Sequence, residues 1–263
     1  MERVVTRLYV NDSLSEGATV GLDAAGAHYL RSVLRLGSGA RIGLFNERDG
    51  EWLGLIDGLG KGWCSLQIQE QRRAPLDEPD IWLVFAPIKR SRIDFLAEKA
   101  GELGCSRIVP IFTRYTDVKR INRDRLAAHA KESAEQCERL SVTEVDDATT
   151  LDKLLDSWPQ DRRLLVCAEF GDAEPIAQVL TDILVEEPDA GRQPWAVLIG
   201  PEGGFAKEEL EALRRLPYVT SIGLGPRVLR ADTAAVAALS CWQAILGDGG
   251  MRPPKGTTPV TVA

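Results

Sequence analysis

Three glycines stand within five residues in Gly200-Pro201-Glu202-Gly203-Gly204. The segment directly follows the apolar run Trp195-Ala196-Val197-Leu198-Ile199 and precedes a helical pattern over residues 207–215. A buried strand that opens through glycines into a helix suits ligand binding, because glycine admits positive φ and lets backbone approach a ligand closely. In α/β folds ligands sit at the carboxyl ends of strands. The segment lacks the Lys-Ser/Thr of a P-loop and the spacing of GxGxxG. It therefore favours a neutral or cationic cofactor gripped by backbone groups over a bound phosphate. Alone, it reads equally well as a plain glycine-rich turn. A second segment, Leu224-Gly225-Pro226-Arg227-Val228-Leu229-Arg230, also leaves a strand through Gly-Pro and enters an apolar helix at Ala231-Asp232-Thr233-Ala234. Arg230, Asp232 and Thr233 converge on the start of that helix, whose small residues permit close packing. The two strand ends together point to one ligand pocket.

Other chemistries have little to work with. The five cysteines (Cys64, Cys105, Cys137, Cys167, Cys241) are widely spaced and form no CxxC pair, and there are only two histidines, His28 and His129. This argues against a disulfide framework, a zinc site and a His-dependent triad, so no metal is expected. No apolar run reaches the ~20 residues that span a bilayer. The first seven residues lack the apolar core of a signal peptide, which gives a cytoplasmic expectation.

The elements that must position the two glycine segments form a recognisable series. From Asp80 onward, apolar runs such as Ile81-Trp82-Leu83-Val84-Phe85 alternate with helical patterns, as in a parallel α/β sheet. Residues 91–103 read as a helix stopped by Gly104, and 122–139 as a long polar helix capped by Asn122. Residues 1–73 differ: short alternating strands, a hairpin turn at Asn46-Glu47-Arg48-Asp49-Gly50 and one embedded helix over 27–36. A polar, proline-containing linker joins the two. The expected organisation is a small β-rich domain at 1–73, an α/β domain at 80–248 and a flexible tail at 249–263. Net charge is −7, but residues 140–194 carry 13 acidic and 4 basic side chains while residues 86–139 carry 12 basic and 8 acidic. A basic surface for phosphate is thus compatible with an acidic chain.

The motifs together resemble a known family. LIGPEGGF followed by LGPRVLRADTAA resembles the paired signature of the bacterial ribosomal RNA small subunit methyltransferase E family, of the SPOUT class. FLAEKAGELGCSRIVP is similar to the family's K-A-x-E-L-G helix, RINRDRLAAHAKESAEQCER to its helix ending in E-Q-C-G-R, and HYLRSVLRLGSGARIGLFN to its N-terminal domain. The resemblance covers residues 3–248. It implies a SPOUT-type trefoil-knot parallel sheet with a small PUA-like β-barrel in front of it, and a homodimer. It also implies a SAM-dependent enzyme that methylates N3 of a uridine in 16S rRNA, with the 16S rRNA or the 30S subunit as partner. The cofactor would contact Leu198, Gly200, Pro201, Glu202 and Gly203 in the first segment. In the second it would contact Leu224, Gly225, Val228, Leu229, Arg230 and Thr233.

Methyl transfer from a sulfonium needs alignment, exclusion of water, a cation near the uracil oxygens and a route for the N3 proton. Arg230 and Lys99 are the candidate cations, and Glu202 or Asp232 the candidate proton acceptors. RNA contacts are expected from Arg7, Arg31 and Arg35, from Arg90, Arg92 and Arg123, and from Gln136 beside Glu135. Arg3, Lys89, Arg120 and Arg125 are further candidates. Two positions depart from the family pattern. Glu138 stands where the family usually has Gly, and Arg114-Tyr115 replaces a common Glu-Arg; Tyr115 could stack on a base or pack in the core. Competing readings are a dinucleotide-dependent oxidoreductase, weakened by the missing GxGxxG, and a non-catalytic RNA-binding protein on a SPOUT-like domain.

Overall fold

The computed structural model describes residues 4–88, 90–167 and 173–252, apart from the side chains of Arg90 and Ser91. The expectations placed on Arg3, Lys89, the Arg90 side chain and tail residues 253–263 lie outside this set. The chain divides into two compact units.

The first unit holds β1 (Thr6–Tyr9), β2 (Thr19–Leu22), α1 (Ala24–His28), β3 (Arg41–Asn46), β4 (Gly50–Gly60) and β5 (Trp63–Arg73). Its five strands form one sheet of order β1-β3-β4-β5-β2, antiparallel except for the β1–β3 pair. Alternation of apolar side chains buries Leu30, Ile42, Leu44, Ile56, Leu66 and Ile68 in one cluster. The embedded helix begins earlier than residue 27, because Asp23 caps it by accepting from the Gly26 N–H at 2.8 Å. It continues as a π-helical turn over Tyr29–Val33 and so stops short of Leu36. The β3–β4 turn stands where the sequence signal places it. Gly50 has φ +77°, and a Cβ there would stand 2.2 Å from the Arg73 carbonyl oxygen.

The first unit is not contiguous. It also takes in Ala134–Val142, which lies within the 80–248 stretch expected to form the second domain. Phe45, Ala134 and Leu140 share a small buried cluster. Arg7 holds the segment in place: its Nε donates to Glu51 at 2.9 Å, and its two terminal nitrogens donate to the carbonyls of Ala134, Glu135 and Arg139 at 3.2, 3.3 and 2.8 Å. A cation among the last carbonyls of a helix satisfies acceptors that the helix itself leaves open.

The second unit begins with β6 (Ile81–Phe85), α2 (Arg90–Glu102), β7 (Arg107–Phe112) and most of α3 (Arg123–Gln136). It continues with β8 (Glu144–Val145), β9 (Thr149–Thr150), α4 (Leu151–Asp156), β10 (Arg163–Cys167), β11 (Glu174–Pro175) and α5 (Ile176–Glu186). It closes with β12 (Trp195–Ile199), α6 (Lys207–Arg214), β13 (Val219–Gly223) and α7 (Ala231–Ile245). Among the described residues its strand pairs are all parallel, in the order β11-β13-β10-β12-β6-β7-β8, with β9 beside β7. This is the parallel α/β sheet expected from the strand–helix alternation. Asn122 caps α3 by accepting from the Arg125 N–H at 3.0 Å. β12 is buried along its whole length, as its unbroken apolar run requires. The order matters for function: β10 lies between β12 and β13, so the two glycine segments leave the same edge of the sheet and flank the end of β10.

Candidate active site

The segment after β12 and the segment after β13 wall a cavity of about 550 Å³. That is within the range of roughly 300–1,000 Å³ typical of small-molecule sites. Gly200, Pro201, Glu202 and Gly203 line it from the first segment, and Leu224, Gly225, Val228, Leu229 and Arg230 from the second. Leu198 and Thr233 stand off the wall: Leu198 is fully buried in the core beneath it, and Thr233 is exposed on the first turn of α7. Cys167, Phe205, Ile222 and Arg227 are among the other lining residues, and sequence gives none of them a role in the site. Cys167 arrives because β10 ends between the two segments, a neighbourhood set by strand order rather than by spacing. Burial pushes its thiol pKa up to about 12, so it faces the cavity as a neutral thiol.

Backbone freedom shapes this wall. Gly204 has φ +70° and Gly225 has φ +96°, in the left-handed region that glycine occupies without strain. Gly200 serves close approach instead: a Cβ there would stand 2.8 Å from the Phe205 ring. The lining combines glycine backbone and apolar side chains with two arginines, Arg227 and Arg230, and one carboxylate, Glu202. Such a wall fits a flat aromatic group, a polar tail bearing a carboxylate and a compact positive centre. Glu202 and Arg230 are both exposed at the cavity, and neither has an ion pair among the described residues.

The remaining catalytic candidates are placed differently. Lys99 lies on α2, where it pairs with Glu102 at 2.6 Å and sits over the Phe95 ring, and it is not part of the wall. Asp232 is held in an ion pair by Arg92, also on α2, at 3.2 Å. Lys99 lies seven positions beyond Arg92, about 10 Å along a helix, so the α2 cation brought to the start of α7 is Arg92. Of the four catalytic candidates, Arg230 and Glu202 are the two that line the cavity, with Arg227 as a second cation there.

The RNA candidates divide as well. Arg7 is only 7% exposed and committed to Glu51 and three carbonyls, so it is a structural residue and not a phosphate contact. Burial lowers its guanidinium pKa from the ordinary value, and Glu51 opposes that shift. Arg31 and Arg35 are exposed on the first unit, and Gln136 is exposed at the end of α3. Arg123 is half exposed, with Nε donating to the Val145 carbonyl at 2.8 Å. Glu135 is tied to β1 by the Tyr9 N–H at 3.1 Å. Glu138 follows α3 with φ +63°, the left-handed conformation that glycine adopts without strain after a helix. Among the described residues no group of His, Cys, Asp and Glu could hold a metal ion, and no helix is long and apolar enough to cross a membrane.

Comparison with known proteins places the molecule. Residues 76–243 match the model of an RNA methyltransferase domain, and residues 22–69 match that of an RNA methyltransferase PUA domain. The ribosomal RNA small subunit methyltransferase E of Rickettsia conorii is 32% identical over 235 residues, covering 89% of this chain and 93% of the relative. The chain belongs to the ribosomal RNA small subunit methyltransferase E family. The family member of Bacillus subtilis is 26% identical over 250 residues, covering 91% and 95% of the two chains. Among solved structures, a methyltransferase from Legionella pneumophila in complex with SAM aligns with TM-score 0.77 and 27% identity, over 91% of this chain and 97% of that one. The Neisseria gonorrhoeae family member, bound to S-adenosyl methionine, shares the fold with TM-score 0.80 at 24% identity, over 93% and 99% of the chains. The SPOUT-type α/β unit with a PUA-like unit, implied by the sequence resemblance, is the architecture of this family member.

Proposed function

We propose that this chain transfers the methyl group of SAM to N3 of a uridine in the 16S rRNA of the small ribosomal subunit. The observation that carries the reading is the cavity of about 550 Å³ between the two glycine segments at one edge of the parallel sheet. Its apolar and glycine wall suits an adenosine, while Arg227 and Arg230 offer charge to a carboxylate or to a substrate oxygen. When bound, SAM supplies an already activated methyl on a sulfonium, so no metal is required. The chain's own residues then align the two partners and exclude water. Glu202 accepts the N3 proton, directly or through water. Arg230 stabilises the charge that spreads onto the flanking carbonyl oxygens as that proton leaves.

Arg31, Arg35, Arg92, Arg123 and Gln136 are the proposed RNA contacts, acting mainly on phosphate. The family resemblance supports a homodimer acting on the 16S rRNA or the assembled 30S subunit in the cytoplasm. The test is transfer of labelled methyl from SAM to small-subunit rRNA by the purified protein, alongside calorimetric titration with SAM and NAD. SAM binding with label in 16S rRNA is expected. NAD binding in place of SAM, or rRNA binding without label, would reject the reading in favour of an oxidoreductase or a non-catalytic RNA-binding protein.

A further inference from the structure

Tyr115 is 51% exposed. It belongs to the loop that follows β7, and it lies against the first glycine segment: a Cβ built on Gly203 would stand 3.3 Å from Tyr115 Cβ. Gly203 lines the cavity and Tyr115 does not, so Tyr115 adjoins the cavity wall through Gly203.

The loop that carries Tyr115 is fixed on both sides. The Thr113 N–H donates to the Thr116 hydroxyl at 2.9 Å, and the Thr116 N–H donates to the Thr113 carbonyl at 3.2 Å. The Arg114 N–H donates to Glu209 Oε1 at 2.9 Å, and its guanidinium pairs with Glu208 at 3.0 Å. Glu209 Oε2 accepts from the Ala206 N–H at 2.8 Å. One carboxylate therefore ties the Tyr115 loop to the chain between the glycine segment and α6. A half-exposed ring on an anchored loop at the rim of a cofactor cavity is arranged to hold a flat partner in a fixed orientation.

We propose that Tyr115 is the stacking platform for the base that is methylated. The inference rests on the methyltransferase reading above. Every base offers a π-face, so Tyr115 positions the base without selecting it, and loss of one base–aromatic stack costs about 5- to 150-fold. The test compares the wild type with Tyr115→Phe, Tyr115→Leu and Tyr115→Ala. Each is assayed for SAM affinity by calorimetry and for kcat and KM with 30S subunits and labelled SAM. The expected result is SAM affinity within about twofold of wild type for all four proteins. For the Leu and Ala variants, kcat/KM for RNA falls about 5- to 150-fold, and the Phe variant restores it. Leu keeps an apolar side chain without the ring, and its unchanged SAM affinity shows that it folds, so its loss of activity reports the ring rather than folding. Retention of full kcat/KM by the Leu variant would overturn the proposal. So would a Phe variant as impaired as Ala, or a loss of SAM affinity in step with activity. If the wild type itself transfers no methyl, it is the underlying reading that fails.

Discussion

Replacing Arg7 with methionine separates a structural arginine from a phosphate-binding one. Arg7 makes a buried ion pair with Glu51, donates to three carbonyls at the end of α3 and lies 4.2 Å over the Phe45 ring. Methionine keeps much of the apolar stem but leaves the carbonyls of Ala134, Glu135 and Arg139 without this donor. Removing one partner of a buried pair costs about 3–5 kcal/mol. Here Glu51 retains Arg72 at 3.0 Å and Arg73 at 3.6 Å, which favours the lower end of that range. A loss of about 3 kcal/mol is a large part of the roughly 5–15 kcal/mol that holds a domain together. Urea unfolding should therefore show a lower midpoint with an unchanged slope. Salt titration of RNA binding provides the second readout. A lost phosphate contact reduces the slope of log K against log salt by about 0.7–0.9. Arg7→Met should leave that slope unchanged, whereas Arg31→Met or Arg35→Met should lower it without moving the unfolding midpoint. An Arg7→Met protein of wild-type stability with a reduced salt slope would refute the structural assignment.

Three further outcomes follow from single positions. Glu138 holds φ +63°, a conformation that costs a non-glycine residue about 1–2 kcal/mol, while glycine's extra unfolded-state freedom takes back about 0.4–1 kcal/mol. Glu138→Gly should thus exceed Glu138→Ala in stability by about 0.5–1 kcal/mol in urea titrations; equal midpoints would contradict this. Gly200→Ala drives a methyl to 2.8 Å from the Phe205 ring and displaces that ring into the cavity. SAM affinity measured by calorimetry should fall about tenfold, equivalent to ~1.4 kcal/mol, and an unchanged affinity would count against the pocket assignment. Arg48, with the Leu14 N–H and the Asn46 amide, lowers the Asp49 pKa from 3.8 to about 2. The folded pKa is below the unfolded one, so this stabilisation is present above about pH 4 and is lost as pH falls through about 2. After solvent screening it amounts to on the order of 1 kcal/mol. Asp49→Asn should flatten stability between pH 4 and pH 2, and an unaltered acid limb would count against the link.

The two glycine segments were legible because their chemistry is local: a buried strand, glycines and a helix follow in sequence order. The parallel sheet was legible for the same reason, since apolar runs such as Trp195–Ile199 need no partner to be recognised. Features set by contacts between distant segments were not legible. The burial of Arg7 depends on residues more than 120 positions away, and a basic residue near the chain start looks like any surface arginine. Lys99 and Arg92 share a helix, and sequence could not say which of them reaches α7; the Arg92–Asp232 pair decides that. Cys167 joins the cavity only because β10 is inserted between β12 and β13. The same rule explains residues 134–142, whose membership in the first unit follows from Phe45 and Arg7 rather than from their own pattern. The trefoil threading and the uridine target came from family resemblance alone, because neither periodicity nor spacing encodes them.

The chemical identity and place of the methyl group decide whether this chain is an rRNA uridine-N3 methyltransferase. Small subunits from a strain lacking this gene are incubated with the purified protein and labelled SAM, and the 16S rRNA is digested to nucleosides. The label should appear in 3-methyluridine at a single position. Because a methyl on N3 blocks base pairing, reverse transcription should stop beside that uridine only after treatment. Label on a different base or on ribose, or no label despite SAM binding, would contradict the account.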